Sequence, residues 1–102
     1  MAERTSSAEK GNDHTIFIGS KPFMNYVTGV VMQFTTQSAK EVVVKARGKF
    51  IARAVDVAEV ARKRFLKDSI DIKNIAIDSE EFEDKDGKRV KVSTIEITLE
   101  KK

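Results

Sequence analysis

Residues 40–66 read KEVVVKARGKFIARAVDVAEVARKRFL, and this stretch decides the fold. It opens on a run of valines at 42–44, which is typical of a strand covered on both faces or lying at an interface. Gly48 interrupts the run, and the apolar residues after it recur three and four positions apart, as on one face of an α-helix. The stretch therefore predicts a strand that passes through a basic junction into a helix from about residue 49 to residue 66.

The same order of strand, junction and helix occurs once earlier in the chain. Residues 15–18 are β-branched or aromatic and end at Gly19, which predicts a first strand. Pro22 suits the first turn of a helix that ends near Gln37. Because a helix connects them, the first two strands are expected to be parallel. The apolar stripe of this first helix has helical spacing and consists of Val27, Val30, Val31 and Phe34.

Two more strands are expected to close the chain as a hairpin. Apolar residues alternate with polar ones from Ile75 in the first strand and from Ile95 in the second. Asp86 and Gly87 lie between them and predict a tight turn in which both central residues have positive φ. Segment 80–91 is too polar for a core and is expected to project as a hairpin arm.

The alternation changes phase twice, and a β-bulge at each place would explain it. The changes fall between Ile72 and Ile75 and between Val92 and Ile95. The complete order is β-α-β-α-β-β. It predicts an α/β fold, a two-layer sandwich in which both helices cover one face of a mixed sheet.

Composition restricts the classes of function. A chain of 102 residues with 40% hydrophobic content has room for one core, so we expect a single domain at 14–102 behind a mobile polar tail at 1–13. Without cysteine and with His14 as its one histidine, the chain lacks the usual ligands for zinc. No nucleophile–base pair or phosphate-binding glycine loop occurs, so neither catalytic residues nor a cofactor or metal is expected. No apolar run approaches the roughly 20 residues of a membrane span, and we expect a cytoplasmic protein without membrane contact.

Charge is segregated along the chain. Residues 40–67 carry nine basic and three acidic side chains, whereas residues 68–84 carry one basic and seven acidic. Residues 85–102 carry six basic and three acidic side chains. A chain arranged in this way can present a cationic face although its net charge is only +3, which suggests a polyanionic partner.

The two strand-to-helix junctions are the best candidates for the cationic face. Parallel strands bring both junctions to one edge of the sheet, and each supplies the free backbone N–H groups of a helix N-terminus. Cations at this end of a helix oppose the helix dipole, and a bound phosphate relieves the conflict. The cationic residues are Lys21 at the first junction and Lys45, Arg47 and Lys49 at the second.

Further candidates lie beside the first junction and on the arm. Asn25 and Tyr26 are placed to contact a phosphate or a base, with packing in the core or an interface as the alternative for the tyrosine. Lys88, Arg89 and Lys91 are placed to reach phosphates in a groove, although the acidic outgoing strand of the arm offers competing ion-pair partners. The apolar surface of the second helix is broader than one sheet covers, which suggests a partner chain there.

The junctions and the last strand resemble those of the Alba family of archaeal chromatin proteins. The resemblance implies a fold similar to the C-terminal domain of translation initiation factor 3. It also implies a protein that coats or compacts chromosomal DNA by binding the duplex with little sequence specificity, and that also binds RNA. The matching stretches are 18–27 (IGSKPFMNYV), 44–49 (VKARGK), 53–56 (RAVD), 64–66 (RFL) and 92–97 (VSTIEI).

The resemblance also implies roles for individual residues. Ser20 stands where the family often has the first of two lysines, the one regulated by acetylation, so the resemblance does not extend to that control. It implies a homodimer, or a pair with a paralogue, formed through the second helix and the last two strands, and contacts between dimers near Phe65. The expected nucleic-acid contacts are Ser20, Lys21, Asn25, Tyr26, Lys45, Arg47, Lys49, Lys88, Arg89 and Lys91. The expected interface residues are Val57, Val60, Arg64 and Phe65.

Two other functions fit the same residues. An RNA-binding subunit of a ribonucleoprotein would use the same cations. A protein-interaction domain would instead use the lateral apolar face of the second helix as its main binding surface.

Overall fold

The elements follow the predicted order along the chain. The structure, a computed structural model, describes residues 14–67 and 69–102, so the predicted tail at 1–13 lies outside the described residues. The strands and helices are β1 (Thr15–Phe17), α1 (Phe23–Thr35), β2 (Glu41–Arg47), α2 (Ile51–Val60), β3 (Ile70–Glu83) and β4 (Arg89–Lys101). A 3-10 turn (Gly48–Phe50) leads into α2, and a π-helical turn (Ala61–Phe65) ends it. None of the described helices is long and apolar enough to cross a membrane.

The strands form one mixed sheet in the order β1-β2-β4-β3. β1 and β2 are parallel, whereas β4 runs antiparallel to both β2 and β3. The predicted two-layer fold with a mixed sheet is confirmed.

Both helices cover the same sheet face, and the core lies between them and the sheet. Residues that pair across two adjacent strands point to the same face of the sheet, so alternate positions of β2 and β4 are buried together. Val43 points the other way and is half-buried, so residues 14–67 and 69–102 do not fully cover the valine run on both faces. The buried sheet positions are Val42, Val44, Ala46, Ile95, Ile97 and Leu99, and the buried helix positions include Val27, Val30, Phe34, Ala54, Val57 and Ala58.

The hairpin of β3 and β4 continues past the rest of the sheet. Thr94 is the last residue of β4 to pair with β2, where it lies opposite Arg47. Beyond it, β3 and β4 pair only with each other, from Ser79 opposite Ser93 onward to the ends of both strands. This segment therefore has two strands and no helix-covered core of its own.

The turn at the end of the hairpin differs from the predicted one. Gly87 has φ 80°, but Asp86 is not among the described residues with positive φ, so the turn with two positive φ values is wrong. The loop is longer than the predicted two residues. Within it, the side chain of Asp84 accepts hydrogen bonds from the N–H groups of Asp86 and Lys88, both at 2.9 Å. The backbone also closes the loop, because the N–H of Gly87 donates to the carbonyl oxygen of Asp84 at 3.0 Å and the N–H of Asp84 donates to that of Lys88 at 2.9 Å. The side chain of Asp84 adds to these bonds.

Of the two predicted bulges, the structure contains the first. The pairing of β3 with β4 shifts between Ile72 and Asn74, which leaves Lys73 as the extra residue. β4 shows no such shift, so the second bulge is wrong. Val92 lies on the face opposite Ile95, and this change of face accounts for the altered phase.

Candidate nucleic-acid interface

The first junction is shaped by a buried tyrosine. The hydroxyl of Tyr26 accepts hydrogen bonds from the N–H groups of Gly19 and Lys21, both at 3.0 Å. Its side chain is only 8% exposed, and the guanidinium of Arg53 lies 5.9 Å from the ring centroid. This burial agrees with the alternative of core packing, and a contact of Tyr26 with nucleic acid stays a prediction. In the structure, Tyr26 positions the backbone that carries Lys21.

The second junction lies directly beside the first. The N–H of Ile18 donates to the carbonyl oxygen of Lys45 at 2.9 Å, as expected for parallel strands. Arg53, in the first turn of α2, donates from Nη2 to the carbonyl oxygen of Lys21, also at 2.9 Å. Both junctions therefore meet at one edge of the sheet.

Arg53 was missed as a site residue in the sequence, although a signal for it exists. It follows Lys49 by four positions, about one helical turn, so the two cations share one side of the helix start. Its guanidinium adds positive charge at the edge where the two junctions meet.

No described side chain caps or neutralises the N-terminus of α1 or of α2. In the described part of the chain, neither α1 nor α2 has an acidic residue in its first turn or a side-chain hydrogen bond at its N-cap. The partial positive charge of each helix start therefore adds to the charge of the nearby cations. Phosphate oxygens are the ligands that such an arrangement favours.

The predicted cations of the junctions differ in whether they already have partners. Lys45 Nζ lies 3.4 Å from Glu96 Oε2, and Arg47 Nη2 lies 2.9 Å from Glu80 Oε1. Over residues 14–67 and 69–102, no ion pair involves the exposed side chain of Lys21. Exposed ion pairs contribute little free energy, so a phosphate can compete with both glutamates.

Ser20, Asn25 and Lys49 complete the predicted set at the junctions. All three are exposed, and Lys49 Nζ lies 5.5 Å from the centroid of the neighbouring Phe50 ring. Their side chains are accessible to a ligand at this edge.

The basic residues of the arm are exposed, and the acidic outgoing strand engages one of them. Arg89 Nη2 lies 3.7 Å from Glu81 Oε1, with both side chains more than half exposed. Lys88 and Lys91 form no ion pair with another described residue. The arm thus keeps three cations without an ion pair to another described residue, Lys85, Lys88 and Lys91.

The open face of the sheet carries two aromatic side chains that the sequence analysis did not single out. Phe17 is 67% exposed and Phe82 is 46% exposed. Lys45 Nζ lies 5.7 Å from the Phe17 centroid, and Arg47 Cζ lies 5.9 Å from the Phe82 centroid. The signal for Phe17 was its place between Ile16 and Ile18, because alternation turns it away from the core.

The apolar edge of the molecule, which we define as Val55 of α2 with Ile72, Ile75 and Ile77 of β3, lies on the helix-covered side of the sheet. The three isoleucines pair with buried residues of β4, yet neither helix extends over them. Their exposure rises outward along the strand, from 37% at Ile72 to 54% at Ile75 and 80% at Ile77. Within the described part of the chain, this edge is an exposed apolar surface.

The predicted interface residues fall into two groups. Val57 is fully buried in the core of its own chain, so the structure corrects its assignment to an interface. Val60 is partly buried, Arg64 is exposed and Phe65 is 53% exposed, so these three are accessible to a partner to different degrees.

No group of three or more histidine or acidic side chains within residues 14–67 and 69–102 could hold a metal ion.

Comparison with known proteins places this arrangement among related chains. The family model described as Alba matches residues 14–79. A DNA/RNA-binding protein Alba of Nanoarchaeum equitans is 60% identical over 88 residues, which cover 85% of this chain and 97% of that protein. The DNA/RNA-binding protein Alba 1 of Archaeoglobus fulgidus is 51% identical over 90 residues, covering 88% and 98%. The solved structure of Alba from Thermoplasma volcanium superposes with a TM-score of 0.76 at 46% identity, covering 84% of this chain and 98% of that one.

Proposed function

Because the chain belongs to the Alba family, we propose that it binds double-stranded DNA, and also RNA, through phosphate contacts with little sequence specificity. In the cell it would coat or compact chromosomal DNA, and it would be found in the cytoplasm on the chromosome. The proposed role is binding without catalysis. It requires no cofactor.

The observation that carries this proposal is the meeting of the two junctions at one sheet edge. The hydrogen bond from Arg53 to the carbonyl oxygen of Lys21 joins them, so two helix starts and their cations face the same region. Lys21, Lys45, Arg47 and Lys49 would contact the sugar-phosphate backbone there. Such contacts supply affinity but read no base sequence.

We propose that the protein acts as a dimer that buries the apolar edge of each subunit. The exposed isoleucines of β3 and the adjacent surface of α2 make this edge apolar, and its exposure to water is unfavourable. Two subunits joined there would present two cationic edges and two arms to one duplex. A paralogous chain with the same edge would serve equally, and Phe65 would contribute to contacts between dimers.

The experiment is charge reversal at the cationic edge, measured on several unrelated duplex sequences at fixed salt. Lys21→Glu is expected to weaken binding to every sequence by a similar factor, because a phosphate contact is lost and repulsion is added. Lys40→Glu is the matched control, because Lys40 is exposed and lies at the opposite end of β2. Losses confined to some sequences would instead indicate base recognition, and equal losses in both variants would contradict a specific cationic edge.

RNA as the main cellular target is tested by competition. The relatives carry both nucleic acids in their names, and phosphate contacts do not by themselves distinguish them. Structured RNA that displaces duplex DNA far below equimolar competitor would favour a ribonucleoprotein role. A chain that binds neither and only forms a stable complex with a protein would favour the interaction-domain alternative.

A further inference from the structure

The open face of the sheet has a composition that phosphate binding alone does not require. Phe17, on β1, and Phe82, on the arm, are 67% and 46% exposed and contribute nothing to the core. Both line one concavity of about 600 Å³, together with Lys45, Arg47 and other residues of β2 and β4. Exposing two phenylalanine rings to water in one concavity is unfavourable, so we expect a ligand to cover them.

Each ring has a cation beside it, and each cation has a carboxylate partner. Lys45 lies between the Phe17 ring and Glu96, and Arg47 lies between the Phe82 ring and Glu80. Cation–π contacts at exposed sites are weak, so a phosphate can draw the cation away and leave the ring surface to another ligand. The face therefore offers flat apolar rings, cations and hydrogen-bond acceptors within one concavity.

We propose that this open face binds a single-stranded nucleic-acid segment, with unpaired bases stacked on Phe17 and Phe82. The inference rests on the proposed function, because the ligand is a nucleic acid in both. It adds that this face binds the single-stranded form. Unpaired bases stack on exposed aromatic side chains with little regard to sequence. Bases inside a duplex are already stacked on their neighbours and leave no ring surface for these side chains.

The charges around the rings fit a single strand, which offers both bases and phosphates, better than a ligand contacted through phosphates alone. Lys45 and Arg47 are placed to take the phosphates on either side of a stacked base. Glu80 and Glu96 would repel phosphates, but their oxygens can accept hydrogen bonds from the amino groups of cytosine, adenine or guanine. A base pair uses one hydrogen of each amino group, so an unpaired base offers these carboxylates both hydrogens.

The test compares three labelled probes by fluorescence anisotropy at one salt concentration. They are a single-stranded RNA of about 12 nucleotides, an abasic strand of the same length and charge, and a duplex of the same length. The variant is Phe17→Leu with Phe82→Leu, because leucine keeps an apolar side chain but has no aromatic face. Met32→Leu is the matched control, since Met32 is similarly exposed at 47% but does not line the concavity.

The wild type is expected to bind the RNA more tightly than the abasic strand, and the double variant to lose about fivefold or more of that preference. Its affinity for the duplex is expected to stay within about twofold, and Met32→Leu to leave the preference unchanged. An unchanged preference in the double variant, or an equal loss on all three probes, would overturn the inference. A wild type that binds none of the probes would overturn the proposed function itself.

Two additional measurements distinguish base stacking from a folding defect and from a protein contact. Each single variant is measured as well, so that the proposal is still tested if the double variant fails to fold. Sedimentation of the free protein is followed in parallel. A double variant that changes the oligomeric state without nucleic acid would show that the face is a protein contact, which overturns the inference.

Discussion

Tyr26 shows how one side chain of the core sets the position of a charge at the surface. Its hydroxyl holds the N–H groups on both sides of Ser20, and its ring supports the guanidinium of Arg53. Arg53 in turn holds the carbonyl oxygen of Lys21. The backbone around Lys21 is therefore fixed before any ligand arrives, which lowers the entropy lost on binding.

Replacing Tyr26 by phenylalanine tests this arrangement. Tyr26→Phe removes the acceptor of two hydrogen bonds, and we expect the free energy of unfolding to fall by about 1–2 kcal/mol. Urea denaturation followed by circular dichroism measures the change. Unchanged stability would show that water replaces the hydroxyl at no cost and that the tyrosine does not organise the junction.

Gly48 is required at the second junction for two reasons that a matched control separates. Its φ is +54°, and an added Cβ would lie 3.2 Å from Val92 Cγ2. Gly87 has φ +80° but nothing within 4 Å of such an atom. Both Gly48→Ala and Gly87→Ala should lose about 1–2 kcal/mol from the left-handed backbone conformation, and Gly48→Ala should lose more. Thermal unfolding that ranks the two variants in the opposite order would contradict this account of Gly48.

Some residues of the site follow from the sequence, whereas others depend on burial. The charges at Lys21, Lys45 and Arg47 were predicted because their positions relative to the strand ends follow from local pattern. Val57 was misassigned, and the core packing of Tyr26 was predicted only as an alternative, because an apolar or aromatic residue on a helix looks the same whether it faces its own core or a partner. Their packing partners come from distant parts of the chain.

The end of the second helix shows how local ion pairs stabilise an irregular element. Leu66 donates its N–H to the carbonyl oxygen of Ala61 at 3.0 Å, a bond across five residues that widens the last turn. Just before it, Glu59 accepts from Arg62 at 2.9 Å and from Lys63 at 3.3 Å. Burial alone would raise the pKa of Glu59, but the hydrogen bonds from Arg62 and Lys63 outweigh it and lower the pKa.

This pKa gives a prediction about pH. A folded-state pKa below the ordinary value of 4.5 means that Glu59 stabilises the fold above that pH and loses the contribution as pH falls through the lowered pKa. Glu59→Gln should therefore be less stable than the wild type at neutral pH by under about 1 kcal/mol, since the pairs are partly exposed. The difference should disappear in acid. Stability measured from pH 7 to pH 3 checks this, and a difference that persists unchanged in acid would contradict it.

The strands show where pattern ceases to determine structure. Alternation predicted the hairpin, and the bulge followed because the isoleucines of one face of β3 are two positions apart except between Ile72 and Ile75, which are three apart. The second change of phase had two explanations, a bulge or a switch of the apolar face, and only the pairing of β4 with β2 and β3 decides between them. The turn depended on the side chain of Asp84, which a rule about the two central residues does not include.

The whole molecule separates a cationic edge from an apolar edge, and the apolar edge predicts a dimer. Ile77→Asp places a charge on the most exposed isoleucine of that edge, so we expect a shift from dimer to monomer in sedimentation velocity. Phe17→Asp is the control, because Phe17 is also exposed but lies on the open face of the sheet. Dimers that survive Ile77→Asp, or dissociate only in Phe17→Asp, would assign the interface to another surface.

The most direct test of the central claim is a salt titration of binding to a mixed-sequence duplex, with wild type and Lys21→Gln in parallel. If each subunit neutralises three or four phosphates, the logarithm of affinity should fall with the logarithm of salt concentration at a slope of about −6 per dimer. Lys21→Gln should reduce the steepness by about one for each subunit, in proportion to the contact removed. An affinity that hardly changes with salt, or a slope that is identical in the two proteins, would contradict phosphate binding at the edge where the two junctions meet.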